Sequence, residues 1–346
     1  MVSEKNNIGL WRLVFATMVI FNHAPLIFGA GVPEPRIGLL TSGGTAVSAF
    51  FIISGYLLTQ SWLRSRSGVE YLAKRVLRIY PAFIAAHIAS IYLARAWSGW
   101  DIPIEAWRIA LLQLPVTMPN GLTPNDPLWT ISYEFRCYLL VALVGALRGL
   151  RRTILVPLAL CGLCGAAALG YPPIRWHMQT LGDAWATPLF GNFFYYFWLM
   201  TAFCVGMMGY LFRELLASHM TGRRATMCFA VMLLFSHTPI AQPVSILFGG
   251  AALWWLAFRA DLGRLQRINS RWDISYGTYL YGTPVLLALL AWAPGLPFVP
   301  YVVLAVVISW LLGAISWHGL ERWLTVKLFR RHPPEVGQVD RPPPQP

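Results

Sequence analysis

Apolar residues fall into long, nearly unbroken windows along the chain, and short basic or polar segments separate these windows. Such windows lack the polar face that a surface helix of a soluble protein shows. At about 1.5 Å per residue, about 20 residues match the roughly 30 Å hydrocarbon core of a bilayer. The pattern predicts an all-α fold, a polytopic integral membrane bundle of about ten transmembrane helices. The predicted spans are Ile8 to Gly29, Gly44 to Leu63, Pro81 to Trp97, Leu128 to Leu147, Thr153 to Gly170, Gly191 to Phe212, Ala225 to Ala241, Pro243 to Phe258, Ile274 to Ala293 and Pro297 to Ser316.

Composition and charge exclude an ordinary soluble enzyme. Of the 346 residues, 57% are hydrophobic and only 12% are charged, which is about half the roughly 25% charged fraction of soluble domains. The net charge of +13 does not indicate a nucleic-acid partner, because the cations separate apolar windows instead of gathering on one face. On the side of the N-terminus lie 21 of the 27 Lys and Arg residues. The positive-inside rule therefore predicts that both termini are cytoplasmic.

The ten windows and their connections leave no room for a large soluble domain. Residues 1–332 are predicted to form one transmembrane domain, and residues 333–346 a Pro-rich, disordered cytoplasmic tail. Cys161 and Cys164 have the spacing of a metal-ligand or redox pair, but they stand alone among small apolar residues. We therefore expect helix packing there and no metal site.

Three ionisable residues inside the windows are functional candidates: Arg12, His23 and Glu134. A charged side chain in the hydrocarbon costs at least about 2.5 to 3.5 kcal/mol and needs a partner. Arg12 and His23 are about three helical turns apart, so they share one helix face at an axial separation of about 16 Å. Glu134 is predicted at about the depth of His23, and the two are expected to pair. The alternatives are that His23 is a polar packing residue and that Glu134 is a structural partner of Arg136 or another arginine.

A second group of cations lies in the segment VEYLAKRVLRIYP. Arg75 and Arg78 are one turn apart on a short predicted helix, beside Lys74, at the cytoplasmic boundary that Arg12 also faces. Guanidinium groups bind phosphate oxygens bidentately, so these cations suit a phosphorylated ligand from the cytosol. The alternative is a topology signal beside anionic lipid.

Five segments in order resemble the membrane-bound acyltransferase-3 family: LWRLVFATMVIFNHAPL with its Arg-x10-His motif, SAFFIISGYLL, KRVLRIYPAF, PLWTISYEFRCYLL and ISYGTYLYGTPV. The resemblance extends from Ile8 to about Trp323 and is nearest to stand-alone bacterial glycan and exopolysaccharide O-acetyltransferases. It implies a ten-helix enzyme of the bacterial inner membrane. Such an enzyme transfers an acyl group, usually acetyl, from cytosolic acyl-CoA to a hydroxyl of a cell-envelope or exported carbohydrate, including a lipid-linked one.

The family motifs also mark individual residues. They fall on Arg12 and His23, Ser54 and Gly55, Arg75 and Arg78, and Trp129, Glu134 and Tyr138. The resemblance implies a general base, His23, that Glu134 supports by fixing its tautomer. It implies acyl-CoA binding by Arg12, Arg75 and Arg78, and substrate positioning by Ser54, Trp129 and Tyr138. No metal is expected, and acetyl-CoA is the expected donor.

Some positions depart from the family pattern. Gly282 stands where many members have His, and Phe135 and Arg136 follow Glu134 where members often have a second acid. Glu321 matches the closing acidic position of the family, but a salt bridge with a neighbouring basic residue explains it equally well.

Two other classes of protein also place charges inside helices. A proton-coupled transporter or flippase of a glycan or small metabolite uses such residues as a relay and consumes no acyl-CoA. A structural protein of polysaccharide export tolerates replacement of Arg12, His23 and Glu134 as long as it folds.

Overall fold

The protein is described by a computed structural model that covers residues 6–321 except 30, 148–149, 173, 175–191 and 270–271. Helices dominate this part of the chain, and its only strands are β1 (Arg36–Ile37) and β2 (Leu40–Thr41), which form a short antiparallel hairpin. The principal helices are α1 (Ile8–Phe28), α2 (Ser42–Arg64), α3 (Gly68–Ser98), α4 (Ala106–Ala110), α5 (Trp129–Ala146), α6 (Arg152–Ala168), α7 (Phe193–Leu211), α8 (Arg213–His219), α9 (Gly222–Leu234), α10 (Ala241–Phe258), α11 (Ser275–Trp292) and α12 (Phe298–Ser316).

The all-α membrane fold is confirmed. Seven helices of the described residues are long and apolar enough to cross a membrane, namely α1, α2, α3, α5, α7, α10 and α12 with their adjoining turns. The other three predicted spans overlap helices α6, α9 and α11, although α9 ends at Leu234, before the predicted end at Ala241. The count of ten spans and the cytoplasmic termini stay predictions, and the predicted tail lies outside the described residues.

The sequence predicted a separate short helix for the basic segment after α2. In the structure this segment forms the first three turns of α3. Ser67 caps this helix by accepting a hydrogen bond from the Glu70 amide at 3.1 Å. Pro81 lies inside the helix and removes one backbone donor without ending it. Arg75 and Arg78 therefore belong to the same rigid element as the membrane span that follows them.

Helix α1 lies at the centre of the site and is fixed at both ends. Near its N-terminus, the side-chain amide of Asn7 donates to the carbonyls of Leu256 and Ala260 at the end of α10. Near its C-terminus, Oδ1 of buried Asn22 accepts a hydrogen bond of 2.8 Å from the Gly43 amide at the start of α2. Between these contacts α1 packs against α2 and α11, which sets the depth of Arg12 and His23.

Two glycines allow α2 and α7 to cross at very short range. A Cβ atom added to Gly55 would lie 2.1 Å from the carbonyl oxygen of Phe203, and one added to Gly206 would lie 2.0 Å from that of Ile52. Small residues permit such close backbone contact between membrane helices. Gly55, which the sequence marked as part of a family motif, therefore has a packing role.

Replacement of Gly206 by Ala is expected to destabilise the protein by about 1 to 3 kcal/mol, because the added methyl group overpacks the crossing. Gly209→Ala on the same helix is the matched control, since its added Cβ would meet only ordinary contacts at 3.7 Å and beyond. Thermal unfolding of the two variants in detergent micelles measures the difference. An equal midpoint for both would contradict the close crossing.

Candidate functional site

Four charged residues form a cluster at one end of the helix bundle. This is the end at which α1 begins. Arg12 of α1 is paired with Asp273, which lies just before α11. Arg78 of α3 donates to Asp273 at 2.6 Å and to Glu321 at 2.5 Å. Glu321 is 1% exposed, so its salt bridge with Arg78 neutralises a deeply buried charge. We call Arg12, Arg78, Asp273 and Glu321 the cation cluster, after its two arginines.

Asp273 is the shared carboxylate of the cation cluster. Burial alone would raise the pKa of Asp273, but Arg12 and Arg78 outweigh burial, and hydrogen bonds from Ser275 and Asn269 add to their effect. The pKa of Asp273 is therefore held well below its ordinary value. The carboxylate remains charged over the whole physiological pH range and holds both guanidinium groups in place.

Arg75 differs from the two arginines of the cation cluster because no described carboxylate pairs with it. Its Nη2 donates a long hydrogen bond of 3.4 Å to Ser61, and its guanidinium carbon lies 5.9 Å from the centre of the Tyr71 ring. Its Nε is buried without a hydrogen-bond partner in the structure. Of the three predicted acyl-CoA-binding arginines, Arg75 is the one without a carboxylate partner among the described residues.

A small cavity of about 50 Å³ lies among α1, α2, α3, α5 and α11, directly against the cation cluster. Its polar lining includes Arg12, Arg78, Ser54, Glu134 and Tyr138. The Ser54 hydroxyl donates to Oε1 of Glu134 at 2.9 Å, and the Tyr138 hydroxyl donates to the same oxygen at 2.7 Å. We call this space the central cavity. Three residues that the sequence proposed separately therefore meet at one carboxylate.

His23 has a different carboxylate partner, Asp126. Its Nε2 lies 3.3 Å from Oδ2 of Asp126, and its Nδ1 lies 2.9 Å from the carbonyl oxygen of Val19, one turn earlier on α1. A carbonyl oxygen only accepts, so this contact assigns the proton of the neutral ring to Nδ1. Nε2 is then an acceptor, and its contact with the Asp126 carboxylate is a hydrogen bond only when the ring is protonated and both nitrogens donate. Nε2 faces Asp126, whose side chain is 49% exposed and accessible to a ligand.

The turn that carries Asp126 is held by α11. The Asn125 side-chain amide donates to the Leu280 carbonyl at 2.8 Å, and the Tyr279 hydroxyl donates to the Pro127 carbonyl at 2.7 Å. The Leu280 carbonyl lacks its usual helical partner because Pro284, four residues later, has no N–H. Because of this proline, the Leu280 carbonyl is free to accept the hydrogen bond from Asn125. This bond positions Asn125 and its neighbour Asp126.

The structure places Asp126 against His23, and the predicted pairing with Glu134 is not among the contacts of the described residues. Asp126 and Glu134 are eight residues apart along a 3-10 turn and α5, which corresponds to about 12 Å along the axis. The acid at the depth of His23 is therefore the one at the start of the turn. Estimating depth from the edge of the apolar window placed Glu134 too near the outer end of the span.

The remaining sequence candidates divide between packing and the site. Trp129 does not line the central cavity but packs with Tyr195 and Trp198, with ring centres 4.5 and 6.4 Å away. Arg136 lies 5.0 Å from the centre of the Tyr133 ring. No group of three or more His, Cys, Asp or Glu side chains suited to a metal ion occurs among the described residues.

Sequence reasoning missed Asp126 and Asp273. Both lie at the edges of apolar windows, where a carboxylate is common in the sequence and does not stand out as one inside a window does. The signals available were the Asn-Asp-Pro run just before Trp129 and an acid at the end of a connection with four arginines, directly before the Ile274 window.

A sequence profile described as an acyltransferase domain matches residues 5–316. The chain belongs to the acyltransferase-3 family. Together with its membrane-spanning helices, this match makes the protein an integral membrane acyltransferase.

Several curated proteins are similar to this acyltransferase. An O-acetyl transferase of Shigella phage Sf6 is 27% identical over 340 residues, which covers 91% of this chain and 94% of the phage protein. Nodulation protein 10 of Rhizobium leguminosarum bv. viciae is 32% identical over 39% of this chain and 43% of its own length. Acyltransferase MdmB of Streptomyces mycarofaciens is 32% identical over 29% of this chain and 28% of its own length. No solved structure matches the chain significantly.

Replacement of Asp273 by Asn in this acyltransferase is expected to lower the free energy of unfolding by about 2 to 4 kcal/mol at pH 7, because two guanidinium groups lose their shared anion. The effect follows pH in a defined direction. A carboxyl with a lowered pKa stabilises the folded state above its ordinary pKa of about 3.9, and this stabilisation disappears as pH falls towards the lowered value.

The wild type and Asp273→Asn are therefore expected to differ above about pH 4 and to converge below it. Denaturant unfolding in detergent across this range measures the difference. Glu214→Gln is the control, because Glu214 is 86% exposed and its ion pair with Arg213, at 3.5 Å, is at the surface. A pH-independent difference between wild type and Asp273→Asn would contradict the role of the charged carboxylate.

Proposed function

We propose that the protein transfers an acetyl group from cytosolic acetyl-CoA to a hydroxyl of a cell-envelope or exported polysaccharide in the bacterial inner membrane. The observation that carries this proposal is the arrangement along α1. Arg12 with its cluster lies at one end and borders the central cavity, and His23 with Asp126 lies about 16 Å away along the helix. An extended pantetheine arm is comparable in length with this separation.

The donor end requires cations that remain available for phosphate. Arg12 and Arg78 are paired with Asp273 and Glu321, so in the proposal they shape the donor end and are not its direct phosphate contacts. Arg75, with its unpaired buried Nε, takes the role of the direct phosphate contact. This assignment narrows the three predicted acyl-CoA-binding residues to one direct contact and two supporting ones.

The acceptor end requires a base for the hydroxyl proton. In the proposal, His23 Nε2 accepts that proton as the hydroxyl oxygen attacks the thioester carbonyl carbon. The carbon–sulfur bond breaks, and the CoA thiolate receives the proton from the imidazolium. Val19 fixes the tautomer through Nδ1, and Asp126 stabilises the imidazolium. Asp126 thus takes the supporting role that the sequence gave to Glu134.

The similar proteins support the chemistry of the two substrates. An O-acetyl transferase matches nearly the full chain, which favours acetyl as the acyl group and oxygen as the acceptor atom. The half-exposed Asp126 leaves the His23 end open to a carbohydrate, including a lipid-linked one presented from the bilayer.

The deciding experiment uses membranes that contain the full chain, labelled acetyl-CoA and a panel of bacterial glycans. His23→Ala is expected to reduce transfer to glycan by about 10² to 10⁴-fold, because the general base is lost. Asp126→Asn is expected to reduce it less, by about tenfold or more, since the base remains but its imidazolium loses a charged partner.

Two control variants are compared at equal expression. Asn125→Ala is expected to reduce transfer, and Thr17→Ala is expected to leave it unchanged. Asn125 holds the Asp126 turn, whereas Thr17 on α1 contacts the exposed Trp310 ring nitrogen, away from the site. Full transfer in His23→Ala would exclude His23 as the base. Glycan movement without consumption of acetyl-CoA would favour the transporter hypothesis.

Arg75→Ala is expected to raise the KM for acetyl-CoA about tenfold with little change in kcat. A phosphate contact stabilises the bound substrate and the transition state equally, so its loss weakens binding alone. Lys74→Ala is the matched neighbour, since Lys74 pairs with Glu70 on the helix surface at 2.6 Å. Initial rates at varied acetyl-CoA measure both parameters. An unchanged KM in Arg75→Ala would remove the phosphate role.

A further inference from the structure

Glu134 has one occupied and one open carboxylate oxygen. Its Oε1 receives two hydroxyl hydrogen bonds, from Ser54 and from Tyr138. The described residues give no hydrogen bond to Oε2, although Glu134 lines the central cavity. A carboxylate inside an apolar bundle is stable only when donors surround it. The geometry therefore leaves one strong acceptor position in the cavity for a ligand N–H or O–H.

The position of this acceptor along the bundle restricts what ligand reaches it. The cation cluster borders the same cavity on one side, and the His23 end lies about 12 Å away in the other direction. A ligand whose phosphates lie near Arg75 and whose thioester lies at His23 spans the depth of Glu134 along the helix axes. On the proposed function, the segment at this depth is the pantetheine arm, which carries two secondary amides with one N–H each.

The cavity lining matches an amide on an extended chain. Phe50, Phe51 and Ile79 supply apolar walls for methylene groups. Tyr276 and Tyr279 also line the cavity, while their hydroxyls donate to the Ile79 and Pro127 carbonyls. A volume of about 50 Å³ exceeds the need of a single water molecule, which suits a short extended segment rather than a folded one.

We infer that Glu134, held by Ser54 and Tyr138, is a donor-binding residue whose Oε2 accepts an amide N–H of the pantetheine arm of acyl-CoA. This inference rests on the proposed donor. It replaces the earlier expectation that Glu134 supports His23, and it makes the Ser54–Glu134–Tyr138 group a specificity element for donors that carry this arm.

The test separates the two halves of CoA by direct binding, without an acceptor. The full chain in lipid nanodiscs is titrated calorimetrically with CoA and, separately, with 3′-phosphoadenosine 5′-diphosphate, which lacks the pantetheine arm. Glu134→Ala is expected to raise the Kd for CoA about tenfold, because a hydrogen bond to a charged group is lost. The Kd for the nucleotide is expected to change less than about twofold.

Two further variants keep the test informative if Glu134→Ala folds poorly. Glu134→Gln preserves size but replaces a charged acceptor with a neutral group, and an increase of about threefold for CoA alone is expected. Ser54→Ala removes a donor to Oε1 and leaves Oε2 in place, so it is expected to affect CoA less than Glu134→Ala does. Arg75→Ala is the contrasting control, since it is expected to weaken CoA and the nucleotide equally.

The outcomes distinguish this inference from the proposed function. Unchanged CoA binding in both Glu134 variants, or an equal loss for CoA and nucleotide, overturns the amide contact while the donor assignment stands. A fall in acetyl transfer with an unchanged Kd would also overturn it and would make Glu134 part of the chemistry. Failure of the wild type to bind either compound overturns the donor assignment and the inference together.

Discussion

The sharing of one carboxylate by two guanidinium groups is the contact on which the site depends. Asp273 joins Arg12 on α1 to Arg78 on α3 at the start of α11, so three elements that surround the central cavity meet at a single side chain. Each buried charge alone would cost several kcal/mol in an apolar bundle. Paired in this way, the charges fix the relative depth of α1 and α3, and the positions of His23 and Arg75 follow from that depth.

The helices of this protein and half of its site were accessible to sequence reasoning. An apolar window of the right length has few alternatives to a helix in a bilayer, because every backbone polar group needs an internal partner. Arg12 and His23 were placed on one face of α1 by the helical period alone. In each of these cases the pattern lies within one element, so local periodicity was sufficient.

The partners of these residues were not accessible in the same way. His23 contacts Asp126 and Arg12 contacts Asp273, and both acids lie in connections whose course the hydrophobic pattern does not specify. Glu134 was assigned to His23 because both are ionisable and lie at similar estimated depths. A 3-10 turn before α5 and its hydrogen bonds to α11 decide instead, and these are tertiary contacts between residues about 150 positions apart.

The hydrogen bond between Asn125 and the Leu280 carbonyl sets the depth of the His23–Asp126 pair. Because Pro284 leaves this carbonyl free and Asn125 occupies it, the turn before α5 is positioned by α11 and not by the lipid headgroups. Helices adapt to bilayers of different thickness by tilting, at a cost of fractions of a kcal/mol per Å of mismatch. Because hydrogen bonds join the Asp126 turn to α11, tilting of α11 carries this turn along with the helix. The geometry of the His23–Asp126 pair is thus set by contacts within the protein.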